Sequence, residues 1–283
     1  MSHLPDVLRL EPLSSHRYSV ANVGEPDAVV FGGQLLAQMI MAASVDSPHK
    51  TVKTINVIFA RAAKVDAETE VDVQTFHAGR SFASHTITAW QGDRLCARAS
   101  VLTHSAEDDL ITHQLDMSPA TPPDTATPAR DHSVFPGAEY VIAHGVDLTD
   151  SAAPTGPAEL TVWYRWPDAP GDPDLPADAS NTHAVINQAA LAWGTDGFLI
   201  GTAMRPHAGI AYDRAHVDIA TGVVSHTLTF HRPFVMTDWV VMTHESPFAG
   251  GGRSYGRCDI HDRAGTLIAS YVQDSMIRAM GSR

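Results

Sequence analysis

A chain of 283 residues with 44% apolar and 18% charged side chains can build a packed core and is too apolar for wholesale disorder. Its formal net charge of −13 speaks against nucleic acid and anionic membrane as partners, because both need clustered Lys and Arg. The two cysteines, Cys96 and Cys258, form neither a CxxC motif nor a disulfide framework. The opening MSHLPDVLRLEPL lacks the regions of a signal peptide, and no apolar run approaches the ~20 residues of a membrane span. A cytoplasmic protein without a membrane span is expected.

The first expected element is a strand over 16–22. A helix over 32–47 follows, opened by Val30-Phe31-Gly32-Gly33-Gln34 and stopped by Ser47-Pro48. Leu35, Leu36, Met39, Ile40 and Ala43 share one face of it, and Met41 and Ala42 make the other face nearly as apolar. A helix apolar most of the way round is expected to be buried, and a wrapping sheet is the natural way to bury it. Strands then read over 51–61, 71–77, 82–90 and 94–103, with turns at Gly79-Arg80 and Gly92-Asp93.

Residues 106–140 change character, with acids followed by the Pro/Thr-rich stretch SPATPPDTATPARD, and read as a linker. It separates an N-terminal unit, 1–105, from a C-terminal unit, 141–283. The second unit repeats the order of the first: a strand over 160–166, a Pro/Asp-rich loop over 167–180, a helix from Asn181 or Thr182 to about Phe198, then strands over 223–230, 239–245, 254–260 and 266–276. Residues repeat as well. Phe59-Ala60-Arg61 parallels Phe230-His231-Arg232, Gly79-Arg80-Ser81-Phe82 parallels Gly252-Arg253-Ser254-Tyr255, Gly92 parallels Gly265, and Gln38 parallels Gln188. The ordered set indicates an internal duplication whose copies pair as a pseudo-dimer.

With Val30-Phe31-Gly32-Gly33-Gln34, Phe230-His231-Arg232-Pro233-Phe234, Leu191-Ala192-Trp193-Gly194-Thr195-Asp196 and Ile268-Ala269-Ser270-Tyr271-Val272-Gln273, the chain resembles acyl-CoA thioesterase II, the TesB-type double hot-dog enzymes. The resemblance covers roughly 15–105 and 155–280. It implies an α+β fold of two tandem hot-dog units, each a long helix wrapped by an antiparallel sheet. It also implies hydrolysis of acyl-CoA thioesters by direct attack of water, with no cofactor. In that family an aspartate on the second helix, a Ser or Thr before the FHRP strand, and a glutamine on the last strand hold the water. Asp196 and Gln273 match two of these positions. The third departs: Val223 stands where the hydroxyl is expected, and Ser225 where the family tends to carry an acid.

The chemistry sets its own requirements. The attacking water needs a base, and burial can raise the Asp196 pKa towards neutrality. Gln273 can point the water. Helix-start N–H groups at Gly33 and Gln34 can meet the oxyanion, if the two helices lie antiparallel across one site, and Gly32 and Gly33 leave the helix start bare for an acyl or anionic group. Strand alternation places Val223, Ser225 and Thr227 on one face, which makes Ser225 the substitute hydroxyl; a bulge near Gly222 would bring in Thr221 instead. Arg61 and Arg80, with Arg232 and Arg253, can meet CoA phosphates or form structural ion pairs. Asp46 parallels Asp196, but beside Ser47-Pro48 it reads as a solvated helix end, and His226 and His231 read as packing residues.

Two rivals stand beside the thioesterase. One is an acyl-CoA-binding protein of the same fold, with weak turnover because of Val223. The other is a hot-dog enoyl-CoA hydratase, weakened by the lack of an Asp-x-x-x-x-His dyad. No GxSxG motif supports an α/β-hydrolase. Gly-Gly-Gln also occurs on mobile tips of peptidyl-tRNA-hydrolysing factors, but here it opens a buried helix. No zinc spacing occurs among the sixteen histidines. Free sheet edges make a homo-oligomer the expected assembly.

Overall fold

A computed structural model of the chain describes residues 4–115, 117, 134–135, 137–169 and 177–281. The SPATPPDTATPARD part of the expected linker and residues 170–176 of the Pro/Asp-rich loop lie outside the described residues. In chain order the elements are α1 (Leu4–Val7), β1 (Leu10–Ser14), β2 (Arg17–Val20), α2 (Gly32–Val45), β3 (Thr51–Phe59), β4 (Thr69–Ala78), β5 (Phe82–Gln91) and β6 (Arg94–His104). There follow β7 (Glu139–Ile142), β8 (Glu159–Arg165), α3 (Ala177–Thr195), α4 (Leu199–Met204), β9 (Ile219–Phe230), β10 (Val240–Gly250), β11 (Arg253–His261) and β12 (Leu267–Ala279).

The strands form one twelve-stranded sheet in the order β1-β2-β4-β5-β6-β3-β9-β12-β11-β10-β8-β7, and neighbouring strands are antiparallel. Read outward from the central β3–β9 pair, one side runs β6-β5-β4-β2 and the other β12-β11-β10-β8. The helices α2 and α3 pack on each other and on the sheet. Both are buried nearly all round: Leu35, Leu36, Ala37, Met39 and Ile40 on α2, and Ala189 to Trp193 on α3, are at most 2% exposed. That explains their weak amphipathic patterning, since a helix with no solvent face has no polar stripe to show.

Helix limits follow local chemistry. α2 ends at Val45, three residues before Pro48, whose ring disfavours helical backbone at the residue preceding it. α3 begins at Ala177, earlier than the expected Asn181 or Thr182, and stops at Thr195 rather than Phe198. Gly194 and Gly197 weaken the helix there, and the Thr195 hydroxyl bonds back to Ala192 O at 2.7 Å. The chain therefore bends at Asp196 and resumes in α4.

The ends of the expected linker are ordered against the second half of the sheet. Gln114 spans the backbone of Gly265 and Leu267, at 2.8 and 3.1 Å, and Phe135 and Ala138 are buried. β7 begins at Glu139, inside the stretch read as linker.

Two bulges interrupt the central ladders. Lys53 is the extra residue between the Val52↔Thr103 and Thr54↔Leu102 pairs of β3 and β6. Val224 is the extra residue on β9 between Ser225, opposite Asp274, and Val223, opposite Ser275. Each bulge changes which residues of its strand face inward.

The β3–β9 ladder starts at Thr54↔Thr229, so Val52 lies beyond it. The Gln188 side chain on α3 closes the gap: Val52 N–H donates to Oε1 at 3.0 Å, and Nε2 donates to Val52 O at 2.7 Å. Val52 is 0% exposed, so removing the amide strands two buried backbone groups. Gln188→Leu is expected to cost about 3 kcal/mol in denaturant unfolding; a loss below about 0.5 kcal/mol would refute this account of the junction.

Candidate active site

The site is built where the end of α3 meets the start of α2. Phe31, the residue before α2, offers no side-chain cap to the helix's free N–H groups. Asp196 supplies one from far along the chain: Gly33 N–H donates to its Oδ2 at 3.2 Å. Only glycine permits this approach. A Cβ on Gly32 would lie 2.6 Å from Asp196 Oδ2, and one on Gly33 would lie 2.1 Å from Trp193 O. The Asp196 side chain is buried, and its Oδ1 has no hydrogen-bond partner among the described residues.

Aromatic side chains bracket this junction. Phe135 packs on Phe31 at 5.4 Å and on Phe198 at 5.7 Å, thereby touching the residue before Gly32 and a residue just after Asp196. Phe59 comes within 3.2 Å of where a Gly32 Cβ would be. Burial in this setting raises the Asp196 pKa to about 7, against the opposing pull of the Gly33 and Gly32 N–H groups.

Gln273 lies on the inward face of β12, 1% exposed, directly opposite His226 of β9. Its Oε1 meets His226 Nδ1 at 3.3 Å, and its Nε2 donates to Ser275 Oγ at 2.9 Å. His226 Nε2 meets the Thr195 hydroxyl at 3.1 Å, and its ring stacks on Tyr271 at 5.0 Å. A continuous chain Thr195–His226–Gln273–Ser275 thus starts at the residue preceding Asp196. Burial lowers the His226 pKa to about 4, so its ring is neutral at physiological pH.

The other expected residues are placed unequally. Ser225 is not brought to Asp196. As the strand neighbour of His226 it points to the opposite face, where its hydroxyl donates to Asp274 Oδ2 at 2.8 Å, and the Val224 bulge turns Val223 to the His226 face instead. Val223 faces inward, packed with Ile200, Met204 and Ile219. The expectation that Val223, Ser225 and Thr227 share a face fails because one extra residue breaks the period-two alternation. The Gln34 side chain is buried in a structural role, donating to Ala21 O at 2.8 Å and accepting from Val23 N–H at 3.1 Å. Its backbone N–H is engaged with Phe31 O at 3.0 Å. The N–H groups of Gly33 and Gln34 are therefore occupied in this state.

Arg61 and Arg80 are not brought together. Arg61 follows β3 and donates to Leu95 O at 3.3 Å, whereas Arg80 sits beside Ser105 at the other end of the hairpins, roughly 25 Å away by strand rise. Arg232 pairs with Asp109 at 2.8 Å, and His231 bonds Ser270 at 2.9 Å. Asp46 is only 18% exposed in its side chain, less solvated than expected, and accepts from Thr75 at 2.9 Å. Sequence reasoning missed Thr195, the role of His226, and Ser275. Ser275 had a readable signal: it stands two residues beyond Gln273 on a strand, hence on the same face.

Among known proteins, residues 22–104 match the acyl-CoA thioesterase N-terminal domain family and residues 115–277 the acyl-CoA thioesterase C-terminal domain family. Acyl-coenzyme A thioesterase 8 of Homo sapiens is 24% identical over 294 residues, covering 96% of this chain and 88% of that protein. An acyl-CoA thioesterase II, TesB2, from Mycobacterium marinum superposes with TM-score 0.78 at 24% identity, covering 98% of this chain and 99% of that one. A conserved protein of unknown function with hot-dog fold from Alicyclobacillus acidocaldarius gives TM-score 0.73 at 17% identity, covering 99% of this chain and 100% of that one. The fold is accordingly a hot-dog fold. No helix among the described residues is long and apolar enough to cross a membrane.

The raised Asp196 pKa has a consequence for stability. Between the ordinary 3.8 and about 7 the native state keeps a proton that the unfolded state has lost, so this group lowers stability as pH rises through that window. The full effect is about 4 kcal/mol. Asp196→Asn, which still accepts from Gly33, is expected to unfold at higher temperature than wild type at pH 8 and to lose that advantage near pH 4. Parallel melting curves for the two proteins across pH 4–8 would refute the buried, raised carboxyl.

Proposed function

The chain belongs to the acyl-CoA thioesterase family and is a thioester hydrolase, and from that premise we propose that it cleaves acyl-CoA by direct attack of a water that Asp196 deprotonates and Gln273 orients. The observation that carries this reading is the buried carboxyl oxygen Oδ1, left without a partner while Oδ2 is fixed by Gly33. A pKa of about 7 suits a base at neutral pH.

The reaction proceeds in two balanced steps. Water forms a C–O bond to the thioester carbonyl as its proton passes to Asp196. The tetrahedral intermediate then expels the CoA sulfur, which takes that proton, releasing free acid and CoA. Gln273 is held at both ends of its amide, by His226 and Ser275, and keeps one N–H for the water. Gly32 and Gly33 contribute by positioning the carboxylate. Arg61, at the same end of the sheet as Phe59 and Gly32, is the proposed contact for CoA phosphates. Arg80 lies at the opposite end and is left out.

In this reading the fold is a double hot-dog, with units 1–105 and 141–283 joined by 106–140 and paired as a pseudo-dimer. The sheet order, which repeats outward from β3 and β9, supports it. The edge strands β1 and β7 support assembly of such chains into a homo-oligomer, and the free, buried Cys96 and Cys258 support a cytoplasmic setting. The inward Val223 favours a second reading, a chain that binds acyl-CoA and turns it over slowly.

CoA release from acyl-CoA distinguishes the two. Asp196→Asn is expected to lower kcat by about 10²–10⁴-fold. Wild-type kcat/KM is expected to fall tenfold per unit below pH about 7, where Asp196 holds its proton, and to level off above it. Equal rates for wild type and Asp196→Asn would remove Asp196 as the base. Tight binding with negligible wild-type turnover would favour the second reading.

A further inference from the structure

We infer that Ser275 supplies the hydroxyl that Val223 withholds, as a second group holding the attacking water beside Gln273. The inference rests on the thioesterase reading above. Val223 and Ser275 are direct partners across the β9–β12 ladder, and the Val224 bulge turns Val223 to the inward face that Ser275 and Gln273 share. A hydroxyl lost from one strand is thus present on its neighbour. Ser275 is 1% exposed, and its Oγ accepts from Gln273 Nε2 at 2.9 Å.

That bond uses one lone pair of Ser275 and leaves its O–H without an acceptor among the described residues. Asp196 Oδ1 is the complementary case, a buried acceptor without a donor. A water donating one O–H to Asp196 Oδ1 and accepting the Ser275 O–H keeps one lone pair for the thioester carbon once the Gln273 N–H that orients it passes to the carbonyl oxygen of the incoming thioester. Gln273 serves both partners, since its amide fixes the Ser275 oxygen at one N–H and offers the other to the incoming group. Ser275 keeps its own proton throughout: the proton lost by water goes to Asp196 and then to the departing sulfur.

A cavity lies near this point. A surface cavity of about 380 Å³ is lined by Met204, Ile219 and Ile277. Met204 and Ile219 belong to the apolar cluster against which Val223 packs, so the cavity adjoins the Val223–Ser275 pair.

Ser275→Ala is expected to lower kcat for acyl-CoA hydrolysis about 10²-fold, as for loss of one preorganised donor, with KM within about threefold and a lower melting temperature because Gln273 Nε2 loses a buried acceptor. Val223→Thr added to Ser275→Ala returns a hydroxyl from the opposite strand and is expected to restore kcat at least about tenfold. A serine that only fixes the Gln273 amide would show the loss of kcat without rescue by a hydroxyl from the opposite strand. If Ser275→Ala folds poorly, Ser275→Cys keeps the volume with a weak donor and is expected to show the same loss of kcat. Ser275→Ala turning over at the wild-type rate, or no rescue by Val223→Thr, overturns the assignment. Asp196→Asn assayed alongside separates the two levels: an inactive Asp196→Asn with a fully active Ser275→Ala sinks Ser275 alone, whereas an active Asp196→Asn sinks the water-and-base reading itself.

Discussion

A carboxyl group and a helix start, 163 positions apart in sequence, meet over two glycines and complete each other. The first turn of α2 has unpaired N–H groups and no cap of its own. Asp196 is buried and its Oδ2 accepts from the first of those N–H groups to reach it, Gly33. Favourable interaction of a charge with a helix end is worth at most about 2 kcal/mol. Desolvation of a buried carboxylate costs several. The second effect wins, which is why the carboxyl is displaced upward to about 7 despite a helix N-terminus that on its own would lower it. The two helices must lie antiparallel and in contact at Gly33 for this to happen, and so the α2–α3 packing, the β3–β9 junction and the Gln188 clasp on Val52 all serve the same placement.

The internal repeat suggests a second such site, and the chain does not build one. Counting from the matched Gln38 and Gln188, Asp46 takes the place of Asp196, and Thr182 and His183 take the places of Gly32 and Gly33. At those positions α3 is already helical, since it starts at Ala177. Its N–H groups there are engaged in the helix and side chains cover them. Asp46 instead accepts from Thr75 and meets His16, near the surface. The difference between the two aspartates lies in what faces them: one meets a helix beginning, the other Thr75 and His16.

How far the sequence could be read depended on which regularity each feature obeys. The two buried helices, ten of the twelve strands and the repeat follow periodic burial or matched motifs, and these are local. β1 and β7 escaped because they are edge strands of five and four residues: β1 is mostly exposed, and β7 buries Glu139, which a hydrophobic pattern does not reveal. Phe135 escaped because it sits in a Pro-rich setting that reads as linker, yet it packs on both Phe31 and Phe198. Ser225 was misplaced for a single reason: alternation was carried through Val224, where the ladder holds an extra residue. A bulge is set by the pairing of two strands, and one strand's composition does not reveal it. Asp196 and Gln273 were legible as types and positions, whereas their neighbours Thr195 and His226 emerge only when α3 and β9 are folded against each other.

Among the described residues around the site, the protonation states favour Asp196 as the base of the proposed reaction. His226 and His244, both buried, are held near 4 and stay neutral at physiological pH. Tyr271 is pushed upward by its burial, so it keeps its proton. A neutral imidazole between Thr195 and Gln273 can fix an amide but cannot hold a transferred proton at neutral pH. In the proposed reaction the proton taken from water therefore rests on Asp196 and leaves from it. An ordinary thiol has a pKa of about 8.5, above the value of about 7 for this carboxyl. Delivery of that proton to the departing sulfur is downhill by about 2 kcal/mol. In that proposal the burial that makes Asp196 basic enough to activate water also leaves it acidic enough to protonate the leaving group, so one residue can serve both halves of the reaction.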